Sequence, residues 1–135
     1  IGPIPTFYQR LKAGQKCFCS DTIRDFLDME DFFSLIDIVL NLEAPAGVFN
    51  ISTGEGHTIK DVFVAVAEYL GISPPDVPIV PPGTDDVSAV VLDTSETEKK
   101  LGWKATREFV ETIHRQLQWY DRYGVTDIFS HLAKP

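Results

Sequence analysis

The sequence predicts an α/β fold: a small mixed α/β domain with few short strands. Three observations carry that expectation. Amphipathic helical stretches alternate with short β-branched runs along the 135 residues. The strand-like runs are few and scattered, too few for a complete doubly wound sheet. Gly- and Pro-containing turns separate nearly every pair of elements. With 44% hydrophobic and 24% charged residues, the chain can bury one real core.

Residues 6–13 read as a short helix, with Pro5 before and Gly14 after. Residues 16–20 read as a strand and residues 21–24 as a polar loop. Phe26 and Leu27 are extended, and Asp28 caps a helix running to about residue 42, with Phe32, Phe33, Leu35, Ile36, Val39 and Leu40 on a broad apolar face. A turn over 44–47 leads to a strand over 48–52. Thr58 is an N-cap with Asp61 at the acidic N3 position, and this helix runs to Leu70 before Gly71 stops it. Residues 72–83 hold five prolines around an extended 77–80. A β-branched strand spans 87–92. Ser95 and Glu98 form a capping box for a short helix ending near Leu101-Gly102. Thr106 caps the last long helix, to about Tyr123, where Phe109, Ile113, Leu117 and Tyr120 make the buried stripe and Gly124 ends it. There is no internal repeat and no low-complexity segment.

A net charge of −8 argues against a nucleic-acid or anionic membrane partner. No apolar run is long enough to span a membrane. Cys17 and Cys19 are spaced too tightly for an ordinary disulfide and lack the further ligands of a zinc site, so they read as reduced thiols of a cytoplasmic protein. His57, His114 and His131 share no geometry that predicts a metal site. The opening Ile1-Gly2-Pro3-Ile4-Pro5 is no signal peptide and reads as the middle of a larger chain.

Two stretches imitate functional motifs. Gly54-Glu55-Gly56, between a strand and a helix, is the start of a dinucleotide fingerprint. The third small residue that the fingerprint requires is replaced by Ile59, and a proline-rich stretch follows where a second strand ending in an acid belongs. The expectation is a turn whose glycines permit positive φ. Tyr8 and Lys12 have the spacing at which a lysine lowers a phenol pKa so that tyrosine can act as a base. Only seven residues precede Tyr8, too few for a nicotinamide fold, so the pair reads as an ordinary helix neighbour.

Taken in order, Gly2-Pro3 before a helix and Gly14, Arg24-Asp25-Phe26-Leu27 with Asp31, residues 48–54 (VFNISTG), Asp86, Asp93 and Leu101-Gly102-Trp103-Lys104 resemble a known pattern. The chain is similar to the C-terminal, substrate-binding part of an extended short-chain dehydrogenase/reductase. Within that group it resembles NAD-dependent nucleotide-sugar epimerases and dehydratases of the UDP-glucose/galactose 4-epimerase type, with the flavour of bacterial O-antigen clusters.

The resemblance implies that NAD and the catalytic Tyr-x-x-x-Lys pair belong to an N-terminal Rossmann domain, and that the intact protein is a homodimer. It places no catalytic, cofactor-binding or metal-ligating residue in this stretch. It implies that Arg24 contacts the substrate diphosphate, for which a guanidinium fork suits; the alternative is an Arg paired with Asp25 or Asp28. It implies that the strand carrying Cys17, Phe18 and Cys19 reads a uracil edge through its backbone, the cysteines packing or lining. Asp86 corresponds to the acid on the ribose hydroxyls, or is a plain loop acid. Gly83 stands where the family pattern has a second Arg, which removes one diphosphate contact. The implied activity is C4 oxidation of a nucleotide sugar, a UDP-sugar favoured, to a 4-keto sugar and its re-reduction. The alternatives are a related dehydratase, decarboxylase or reductase, or a non-catalytic domain binding a nucleotide sugar or a protein.

Overall fold

A computed structural model describes residues 2–125 other than residue 42. Among these residues, five helices and five very short strands follow one another: α1 (Pro3–Lys12), β1 (Cys19–Ser20), β2 (Ile23–Arg24), α2 (Met29–Val39), β3 (His57–Thr58), α3 (Ile59–Tyr69), β4 (Ile79–Val80), β5 (Ala89–Val90), α4 (Ser95–Leu101) and α5 (Phe109–Tyr123). This is the mixed α/β class the sequence predicts.

The main core is built by α1, α3 and α5. Phe63, Val62 and Val66 of α3 meet Ile113 and Leu117 of α5, and Phe7 of α1 packs edge-on to Phe63 with ring centroids 5.3 Å apart. Each large side chain fully buried here contributes about 1.5–3 kcal/mol. A second, smaller cluster joins Leu35 of α2 to Leu101 and Trp103, with Phe49 and Ile51 packed against it.

Helix α1 begins at Pro3, ahead of the expected start, because a proline in the first turn gives up an N–H that has no partner there. Asp28 caps α2 by accepting from the Glu30 N–H, and the helix stops at Val39, short of residue 42. The Thr58–Asp61 capping box of α3 forms in both directions. The other two predicted caps differ. At α4 the flanking residue is Thr94, whose hydroxyl donates to Glu98 at 3.1 Å, while Asp93 accepts the Ser95 N–H at 2.9 Å. At α5 the flanking residue is Glu108; Thr106 donates its hydroxyl to Asp31 at 2.9 Å. At α4 a carboxylate captures a backbone donor more strongly than a hydroxyl can, and at α5 the Thr106 hydroxyl is itself spent on a carboxylate.

Two sheets form among the described residues. β1 pairs in parallel with β4, Cys19 opposite Ile79. β2 lies between antiparallel β3 and parallel β5, with Ile23 opposite Thr58 and Ala89. Two predictions are corrected here. Residues 21–24, expected as a polar loop, supply the central strand; two residues are too few to show any period. Residues 48–52, expected as a strand, join no ladder among the described residues. Their side chains still sort to one side: Phe49 and Ile51 pack inward, while Val48 is 98% exposed.

Candidate functional site

Arg24 occupies the middle strand of the three-stranded sheet, so its backbone is held on both edges. Its guanidinium donates from Nη1 to the Ile23 carbonyl at 2.8 Å and from Nη2 to Asp86 Oδ1 at 2.6 Å. Asp86 ends a turn in which its own N–H donates to the Gly83 carbonyl at 3.0 Å, just before β5. The parallel β2–β5 pairing thus brings together two residues 62 positions apart. Their side chains are 27% and 44% exposed, so ligand can reach them. The Arg24 and Asp86 singled out from the sequence are one ion pair.

The pairing of Arg24 with Asp25 or Asp28 does not occur. Asp25 instead accepts from the Thr53 N–H at 2.9 Å, the Thr53 hydroxyl at 2.7 Å and the Gly54 N–H at 2.8 Å. It pins the 53–54 turn beside Arg24. Asp28 faces Arg115 at 3.3 Å. The role of Asp25 was missed; the only sequence signal for it is an acid next to Arg24 and a Thr-Gly turn in search of an acceptor.

Of the three residues expected on the uracil-reading strand, Phe18 is 57% exposed, Cys17 half-buried and Cys19 fully buried. Cys19 is a packing residue of the main core. Burial pushes both thiols up from their ordinary value. The Cys19 N–H donates to the Pro78 carbonyl at 2.9 Å and the Asp21 N–H to the Val80 carbonyl at 2.7 Å. The intervening backbone groups of Ser20 face the opposite edge, and Cys17 and Phe18, expected within the strand, precede β1.

Gly83, where a cation was expected, has open space around the position of a Cβ. Gly54 needs its glycine for a φ of +79°, and a Cβ on Gly56 would lie 2.7 Å from methyls of Ile23 and Val91. Gly54 serves the turn's backbone conformation, and Gly56 its close packing on β2 and on Val91, which follows β5. With the Gly54 N–H already donated to Asp25, the loop does not fit a dinucleotide pyrophosphate.

Tyr8 is 5% exposed and donates to Asp121 at 2.5 Å. Lys12 reaches the Tyr8 hydroxyl at 3.0 Å and Asp121 at 3.4 Å, and Tyr69 donates to Asp121 at 2.7 Å. The hydrogen bond to Asp121 pushes Tyr69 up to about 12, and the two tyrosine hydroxyls hold Asp121 below its ordinary value. This network ties α1, α3 and α5 together and holds Tyr8 as a donor. A shallow groove of about 790 Å³ runs beside it, and an apolar groove of about 600 Å³ lies between α2 and α5; neither is lined by Arg24 or Asp86.

His57 lies on β3 and stacks on Phe109 with centroids 3.8 Å apart. His114 faces Tyr69; His131 lies outside the described residues. Among the described residues no three His, Cys, Asp or Glu side chains gather to hold a metal ion, and no helix is long and apolar enough to cross a membrane.

No family model matches the chain. Its whole length is 64% identical to WbmG of Bordetella bronchiseptica, and it superposes with a TM-score of 0.90 on the crystal structure of that enzyme in complex with NAD and UDP, covering 44% of that chain. WbmH of the same organism, in complex with NAD+, is 31% identical over 93% of this chain and 42% of its own, with a TM-score of 0.85. A UDP-glucose 4-epimerase of Bifidobacterium longum is 30% identical over 99 residues, 72% of this chain and 29% of its own length. The chain spans under a third of the epimerase and under half of WbmG and WbmH. With the order of its motifs and its mixed α/β fold, the chain belongs to the extended short-chain dehydrogenase/reductase family of nucleotide-sugar epimerases and dehydratases, as its C-terminal part.

Proposed function

We propose that residues 1–135 are the nucleotide-sugar-binding region of a larger, NAD-dependent nucleotide-sugar epimerase that takes a UDP-sugar. One observation carries the reading: Arg24 and Asp86, distant in sequence, converge on a rigid central strand at an accessible surface. Arg24 takes the diphosphate, Asp86 faces the ribose, and the free backbone edge beside Phe18 reads the base, with Cys17 and Cys19 supporting that strand from below. The likeness to WbmG, solved with UDP, supports this choice of nucleotide.

The residues present do not fit NAD, and its binding belongs to a Rossmann domain elsewhere in the longer protein. Two features support a larger chain. Matching relatives are more than twice as long. Met29 and Phe33 of α2, with Leu40 just after it and Val48, leave apolar surface exposed beside a strand-like segment that joins no ladder among the described residues. We place the chain in a cytoplasmic homodimeric isomerase of lipopolysaccharide biosynthesis. A dehydratase is the second reading, favoured by the 26% identity to a dTDP-glucose 4,6-dehydratase of Streptomyces antibioticus; product analysis of the full-length enzyme separates the two.

The test is calorimetric. Arg24→Ala in the full-length protein should weaken UDP binding by about 1.5–3 kcal/mol, the range for a hydrogen bond to a charged group. An unchanged dissociation constant would remove Arg24 from the site.

A further inference from the structure

Arg24 lies on a strand of two residues, paired with strands of two residues on either side. Ladders this short take their register from the turns that feed them. β3 is fed by the turn over 53–56, which holds Gly54 and Gly56 and so has much backbone freedom to lose. The side chain next to Arg24 removes that freedom. Asp25 Oδ1 accepts the Thr53 N–H at 2.9 Å and the Thr53 hydroxyl at 2.7 Å, and Oδ2 accepts the Gly54 N–H at 2.8 Å. The Thr53 Oγ1 in turn accepts the Glu55 N–H at 3.1 Å. Both carboxylate oxygens are thus taken by the turn. The clamp closes a gap of 28 positions in the chain and lies at the point where β3 is about to return. Just past it, His57 takes its place opposite Arg24, and the Ile59 N–H reaches the Thr22 carbonyl at 3.2 Å.

We infer that Asp25 is a positioning residue of the nucleotide site: by clamping the 53–54 turn it sets β3 on β2, and so fixes the strand from which Arg24 meets the phosphates of a nucleoside diphosphate. The inference rests on the reading of Arg24 as the diphosphate ligand. Asp25 acts through the backbone and does not touch the nucleotide. A guanidinium fork gives two directed hydrogen bonds, and these need a base held to within about 0.5 Å. The expected effect of releasing the clamp is about fivefold in the UDP dissociation constant, in the lower part of the range by which members of one hydrogen-bond network couple.

The experiment titrates UDP and uridine into the full-length protein carrying Asp25→Asn, Thr53→Val, Thr53→Ser, Arg24→Ala, or Arg24→Ala with Asp25→Asn, each first shown to be folded by circular dichroism. Asp25→Asn leaves one carbonyl oxygen for three donors. Positioning predicts a UDP dissociation constant raised about fivefold by Asp25→Asn and raised less by Thr53→Val, wild-type affinity in Thr53→Ser, uridine binding unmoved throughout, and no added loss in the Arg24→Ala background. A lower melting temperature with unchanged UDP affinity would make the clamp a purely structural feature and overturn the inference. Equal weakening of UDP and uridine, or a loss that persists without Arg24, would overturn it as well. If Asp25→Asn does not fold, Thr53→Val carries the same test. If Arg24→Ala itself leaves UDP binding intact, the nucleotide-site reading fails and takes the inference with it, whereas a silent Asp25→Asn beside a weakened Arg24→Ala refutes the inference alone.

Discussion

Replacing Asp31 with Ala should destabilise the protein by about 3–5 kcal/mol, the upper part of the range for single substitutions. Asp31 is 5% exposed. Its Oδ2 accepts the N–H groups of Thr106 at 3.1 Å and Arg107 at 2.9 Å, and its Oδ1 accepts the Thr106 hydroxyl at 2.9 Å. Its backbone carbonyl takes the Trp103 indole N–H at 3.2 Å. The carboxylate therefore joins α2 to the segment that leads into α5. Hydrogen bonds to a charged group contribute about 1.5–3 kcal/mol each, and an orphaned buried donor costs about 1–3 kcal/mol. These terms share one carboxylate and do not add fully, which gives the value above. Asp31→Asn keeps one carbonyl oxygen for the two backbone donors, and the Thr106 hydroxyl can rotate to accept from the new amide. Its loss should be about 1–2 kcal/mol. Urea unfolding of the full-length protein, followed by circular dichroism, reads both values, and hydrogen exchange at the Thr106 and Arg107 amides reads the cause. The reasoning fails if Asp31→Ala loses less than about 1 kcal/mol at an unchanged m-value, or if those two amides stay equally protected.

Three further outcomes are expected. Tyr8→Phe in the full-length enzyme should leave kcat nearly intact, because the hydroxyl is committed to Asp121; a large loss of kcat would make Tyr8 a catalytic residue. Gly83→Arg should tighten UDP binding by about tenfold or more, near the low end of what one charge-assisted contact contributes, since its Cβ meets open space; an unchanged or weaker titration would show that position 83 does not face the phosphates. Stability should fall at both ends of the pH scale. Asp121, lowered chiefly by hydrogen bonds from Tyr8 and Tyr69, and Glu30, lowered chiefly by its bond to Arg115, stabilise above their ordinary values of 3.8 and 4.5 and lose that contribution as pH falls through the lowered ones. Tyr69, raised to about 12, contributes fully below its ordinary value of 10.0 and loses that as pH rises toward 12. A melting temperature that stays flat from neutral pH through either window would contradict these networks.

The sequence alone determined what local chemistry controls. The Thr58–Asp61 box, the Asp28 cap, the apolar stripe of α5 and the glycines at 71 and 102 follow from rules that act within one or two turns of chain. The order of short motifs was likewise enough to indicate the family, and to select Arg24 and Asp86 as residues whose functional groups suit a nucleotide. Only the tertiary structure decided how those groups are used. A two-residue strand has no period, so β2 and its central place were illegible until β3 and β5 paired with it. The partners of Arg24, Asp25 and Asp31 lie 62, 28 and 75 positions away in the chain, and no local rule reaches that far. Residues 48–52 mark the same boundary from the other side. Their side-chain alternation is written in the sequence, but a strand is completed by hydrogen bonds to another strand, and the described residues supply none.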